Sequence, residues 1–205
     1  MSKRIHPAWI AAGVTFLTLV ANAGFRSAPS VLIIPLQDAF GWSRADISLA
    51  VSVNVLLFGL TAPFAAALME RFGIRKVVMC AEAVVGLGAL ATIYIQKPWH
   101  LVALWGVVVG IGTGSMALVF AATVANRWFI KRKGLVIGGL TAVSATGQLI
   151  FLPGLSWLTI HHGWKAVSLV VGSASLIMVP IIFLFLKEDR KSTRLNSSHV
   201  ALSRM

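Results

Sequence analysis

The chain has 205 residues, 58% of them hydrophobic and 12% charged, with a mean hydropathy of +0.86 and a formal net charge of +12. A soluble domain of this length does not carry so apolar a composition. The positive charge flanks the apolar stretches, so anionic lipid headgroups rather than nucleic acid are its expected counter-charge.

Six apolar stretches follow one another, over approximately residues 8–34, 45–69, 77–96, 99–125, 134–157 and 166–186. Each reaches the ~20 residues that a helix needs to cross hydrocarbon, so the chain reads as an all-α membrane protein with six spans. The first stretch begins after Lys3 and Arg4, and Ala21-Asn22-Ala23 imitates a secretory cleavage site. The apolar run resumes beyond Arg26 through Ile34 and Leu36, which favours a retained span. Gln37 to Trp42 reads as the link to the second span, and Ser43-Arg44-Ala45-Asp46 as a capping box opening it. Cys80, the single cysteine, lies in the third span and excludes an intrachain disulfide. Lys97-Pro98-Trp99-His100 joins the third and fourth spans, with the proline suited to a helix's first turn. In the fourth, Gly106, Gly110 and Gly114 recur every four residues and predict a flat groove for a close neighbour. Gly110-Ile111-Gly112-Thr113-Gly114 has no strand before it and is not a phosphate loop. Gly138, Gly139, Gly147, Pro153 and Gly154 in the fifth span, and Pro180 in the sixth, fit either static packing or bending.

The basic residues alternate along the chain. Fourteen fall in the N-terminus, 71–76, 127–133 and 187–204, against Arg44, Lys97 and Lys165 at the other junctions. Lys and Arg near span ends resist translocation, so both termini are expected in the cytoplasm of a cell inner membrane. Trp9, Trp42, Trp99, Trp128 and Trp164 fall at span ends, where amphipathic rings prefer to sit.

At the junction of spans two and three, Ala66-Ala67-Leu68-Met69-Glu70-Arg71-Phe72-Gly73-Ile74-Arg75-Lys76 resembles the signature loop of the major facilitator superfamily. Glu70, Arg71, Gly73, Arg75 and Lys76 match that loop in kind; Ala66 replaces its glycine and Glu70 its aspartate. Trp128-Phe129-Ile130-Lys131-Arg132-Lys133-Gly134-Leu135-Val136-Ile137-Gly138 is similar to a stretch of the monocarboxylate and oxalate/formate branch. So is Gly41-Trp42-Ser43-Arg44-Ala45-Asp46-Ile47-Ser48, and Gly163-Trp164-Lys165 resembles a motif before the superfamily's sixth span. The resemblance implies one half of a twelve-helix fold, each half being six helices in two inverted repeats. It also implies alternating access with residues 70–76 as a gating loop. Leu104-Trp105-Gly106-Val107 carries no arginine where many sugar and drug members have one, which leaves organic anions ahead.

Arg26 is the one cation within a span, and an unpaired guanidinium in hydrocarbon costs roughly 3 kcal/mol or more. It is expected to face a cavity or a partner, and the resemblance implies a role towards an anionic substrate or its proton. At ~1.5 Å per residue, Arg26, Asn54 and Gln148 lie at one level on spans one, two and five. A guanidinium with two amides can hold a carboxylate, and interhelical hydrogen bonding stands as the alternative for both amides. Glu82, the one carboxylate well inside a span, is read either as a coupled-proton site or as a partner of the 71–76 cations. The second reading is preferred, because the third helix is expected at the periphery. No nucleophile–base pair, metal set or cofactor motif appears, and His161 and His162 have no partner at metal spacing.

From Lys187 the chain turns polar and serine-rich, so residues 188–205 are expected to be a disordered cytoplasmic tail, truncated or non-native. The reading as a whole is a fragment of a secondary transporter for a small organic anion such as a monocarboxylate. It would be completed by a missing six-helix half or a second copy. The alternatives are a non-transporting sensor or assembly protein, or an inactive half.

Overall fold

The computed structural model describes residues 7–116, 118–128 and 133–186, and among them the regular structure is all helical, with no strand. Helix α1 spans Pro7–Phe40 and α2 Arg44–Phe72. Helix α3 spans Ile74–Ala91 and ends in a 3₁₀ turn, Thr92–Tyr94. The fourth span is composite: α4 Pro98–Leu101, a π-helical segment Val102–Val109, α5 Gly110–Met116 and α6 Leu118–Trp128. Helices α7, Lys133–His162, and α8, Trp164–Phe185, complete the bundle. Six segments of 21 to 30 residues are long and apolar enough to cross a membrane. The chain is a multi-pass membrane protein.

Some helices run past the apolar stretches, taking in polar residues at their ends. Gln37 to Phe40 are the last turn of α1 rather than part of a link; Gly41, at φ +67°, ends the helix and donates its N–H to the Gln37 carbonyl at 2.8 Å. The capping box is present as the sequence predicts. Ser43 Oγ accepts from the Asp46 N–H at 3.2 Å, and Asp46 Oδ2 accepts from the Ser43 N–H at 3.2 Å. Pro98 sits in the first turn of α4, where its missing N–H leaves no bond unmade.

Lipid offers little hydrophobic drive between helices, so packing rests on close approach at small residues. The glycine stripe of the fourth span lies against α2. A Cβ on Gly106 would meet the Ala50 carbonyl at 3.1 Å, one on Gly110 the Asn54 Cα at 3.1 Å, and one on Gly114 the Phe58 carbonyl at 2.7 Å. Gly86 of α3 and Gly172 of α8 face each other in the same way: a Cβ on either would stand 3.0 Å from the other's carbonyl. The tail 188–205 and residues Phe129 to Arg132 of the second resemblance lie outside the described residues.

Helices α2 and α7 are the least covered. Only 11% of the apolar window of each is buried, against 39–56% in the other four spans. Leu56, Leu60 and Phe64 of α2 and Leu149 and Ile150 of α7 are exposed on this open side.

Candidate functional site

Arg26 projects from the middle of α1 and is exposed rather than buried, with its guanidinium 4.8 Å from the centroid of the Phe58 ring of α2. A ring face supplies an attraction of the order of 1 kcal/mol and leaves the guanidinium N–H groups free to take an anion. Arg26, Asn54 and Gln148 line one pocket of about 220 Å³, walled by Phe25, Val55, Phe58 and Trp105. A second pocket of about 250 Å³ shares Arg26, Phe58 and Gln148 and continues past Thr141 and Ser144 of α7. The three residues read from the sequence as one level therefore meet around one cavity.

Their hydrogen bonds differ from the sequence picture. Asn54 Nδ2 donates to the Trp105 carbonyl at 2.8 Å, and Trp105 lies inside the π-helical segment. A π turn displaces carbonyls from the α-helical ladder, and in lipid such groups must find a donor. Asn54 is thus committed to the backbone of the fourth span, while its side chain still borders the pocket. Gln148 Nε2 donates to Ser144 O one turn back at 3.3 Å, and the Gln148 backbone carbonyl accepts from Ser27 Oγ at 3.0 Å, tying α7 to α1. No sequence signal marked the π segment; the glycine and proline cues pointed to α7 and α8, each of which runs on as one helix through Pro153 and Pro180.

Residues 70–76 form almost no loop. Glu70 and Arg71 lie exposed on the last turn of α2, Gly73 alone separates the helices at φ +91°, and Arg75 and Lys76 open α3. Positive φ explains the glycine. Arg71 suits the negative end of α2, but two cations at the start of α3 oppose its dipole by several tenths of a kcal/mol. Helix stability therefore does not account for Arg75 and Lys76. The Arg75 guanidinium lies 4.2 Å from the Phe183 ring centroid, so it reaches across to α8.

Glu82 corrects the expectation of a peripheral acid paired with these cations. It is fully buried, accepting from Asn22 Nδ2 of α1 at 2.9 Å and from Ser175 Oγ of α8 at 2.6 Å. The third span keeps one stripe outward, with Cys80, Val84 and Leu87 exposed, and turns Glu82 inward against α1 and α8. Asn22 and Ser175 were missed, since buried Asn and Ser in spans read as ordinary packing. Among the described residues no three His, Cys, Asp or Glu converge as metal ligands.

The bundle, the cavity at its open side and the paired cations at one end define a multi-pass membrane protein built like half of a transporter. Residues 14–203 match the family profile described as the Major Facilitator Superfamily, and the chain belongs to that family. It is 25% identical over 180 residues to the uncharacterized MFS-type transporter YcxA of Bacillus subtilis, covering 87% of this chain and 44% of that protein. It is 30% identical over 175 residues to human monocarboxylate transporter 7, covering 83% and 32%. Bovine monocarboxylate transporter 13 is 28% identical over 174 residues, covering 83% and 40%. The chain thus spans less than half the length of each of these relatives.

Proposed function

We propose that the chain is the N-terminal half of a secondary transporter that moves a small organic anion, such as a monocarboxylate, by alternating access. The observation that carries the reading is the pocket where Arg26, Asn54 and Gln148 converge. Arg26 supplies the charge and the planar fork, and Gln148 an amide on the facing helix. Asn54 acts at one remove, by holding the Trp105 carbonyl and so the shape of the wall. The open faces of α2 and α7 take a second six-helix unit, which closes the cavity from the other side. Residues 70–76 serve as the gate, at the cytoplasmic end given by the distribution of basic residues.

The test is uptake of radiolabelled lactate and of other small carboxylates by the chain joined to a C-terminal half. Arg26→Lys keeps the charge and loses the fork; Arg26→Ala loses both. Uptake is expected to fall roughly tenfold for Lys and to background for Ala, a charge-assisted contact contributing about 1.5–3 kcal/mol. Wild-type uptake by Arg26→Ala would remove Arg26 from the site.

A further inference from the structure

The anion reading leaves Glu82 unused, and its surroundings set it apart from the pocket. Asn22 of α1 and Ser175 of α8 touch it, Asn22 is held in turn by the Thr18 carbonyl and the Met116 thioether, and none of these is charged. The ionisable groups of the same elements are Arg26 and Asp38 on α1, Arg75, Lys76 and Cys80 on α3, and Lys165 on α8. None of them is a hydrogen-bonding or ion-pairing partner of Glu82 among the described residues. Arg26, the cation closest in sequence to Asn22, lies one turn along α1 with its guanidinium over Phe58. A carboxylate buried without a cation is among the costliest groups that a bundle can hold.

We propose that Asn22, Glu82 and Ser175 form a proton-binding site inside this half, separate from the anion pocket, with Glu82 holding the proton. The cluster accommodates an acid. With a proton on Oε2, the 2.6 Å contact reverses, and the acid O–H donates to Ser175 Oγ. The serine's own hydrogen then turns to the Val171 carbonyl one turn back, the bond that Thr15, Thr18 and Ser27 make on α1. Asn22 Nδ2 goes on donating to Oε1 in either form. The buried Asn22 Oδ1 has no partner, which gives the cluster a spare acceptor for an O–H and no spare donor for a carboxylate. Proton release leaves the three-helix contact of α1, α3 and α8 around an uncompensated charge, so the proton holds those helices together.

The chain has three glutamates, Glu70, Glu82 and Glu188. The double variant Glu70→Gln/Glu188→Gln leaves Glu82 as the sole one, and glutamate carrying ¹³C in its side-chain carboxyl then marks it alone. The infrared spectrum of this chain in lipid bilayers at neutral pH is expected to show an isotope-shifted C=O band of a hydrogen-bonded carboxylic acid. The band should be absent when Glu82→Gln is added. An isotope-shifted carboxylate band with no acid band, in a sample of wild-type helicity, would overturn the proposal. Should Glu82→Gln not fold, the comparison of labelled with unlabelled double variant still decides, because it leaves Glu82 in place.

Discussion

Gly114 tests whether the fourth span and α2 are held by close approach or merely by being threaded through the same bilayer. An added Cβ would stand 2.7 Å from the Phe58 carbonyl oxygen and 2.8 Å from Phe58 Cα. Carbon contacts are comfortable at about 3.5–4.0 Å, so α2 and α5 must part by roughly 0.7–1 Å, backbone against backbone. Overpacking of that kind costs about 1–3 kcal/mol, and separation here also pulls on the Asn54–Trp105 bond one turn away. Gly114→Ala is therefore expected to cost at least about 2 kcal/mol. In a chain of this length that is a fall of roughly 4–8 °C in Tm. Gly106→Ala and Gly110→Ala, whose nearest contacts would be 3.1 Å, should cost less. Gly138→Ala on α7, with nothing within 4 Å of its Cβ, should be neutral or gain up to about 1 kcal/mol from helix propensity. The assay is thermal unfolding of the four single variants in one detergent, followed by circular dichroism. Equal Tm values for Gly114→Ala and Gly138→Ala would refute the argument.

Three further outcomes are expected. Asn54→Leu leaves the Trp105 carbonyl without its side-chain donor and should cost about 1–3 kcal/mol in the same unfolding assay, whereas unchanged stability would mean that the π segment satisfies itself. Glu70→Gln, in the chain joined to a C-terminal half, should slow carboxylate exchange several-fold while leaving membrane insertion intact; an unchanged rate would leave residues 70–76 with orientation alone. A reporter active only outside the cytoplasm, fused after Lys187, should stay silent, and a strong signal would overturn the proposed orientation.

What the sequence disclosed followed from how locally each feature is encoded. Six spans were legible because length and hydropathy decide insertion one segment at a time. The Ser43–Asp46 cap and the turn at Gly73 were legible because four or five adjacent residues specify each. The level shared by Arg26, Asn54 and Gln148 followed from the rise per residue. Their bonding did not, because it depends on the π register of a different helix. Glu82 was misplaced because its position in the third span says nothing of which face meets α1 and α8; two residues 60 and 93 positions away settle that.

Most of the hydroxyls in this bundle bond to the backbone of their own helix: Thr15 to Ala11, Thr61 to Leu57, Thr113 to Val109, Thr123 to Val119, Thr159 to Leu155. Each helix thus meets its neighbours with its polarity already quenched, and the few bonds that do cross between helices sort the half into blocks. Glu82 and the Thr92–Ser168 pair join α1, α3 and α8; Asn54 joins α2 to the fourth span; Ser27 hitches α7 to α1. Between the first two blocks, among the described residues, the crossing polar contacts are weak: Asn22 to the Met116 thioether at 3.9 Å, and the Arg26 guanidinium over the Phe58 ring. Lipid supplies no water to replace a broken bond, so the seam between those blocks is where the half can shear without breaking a strong hydrogen bond.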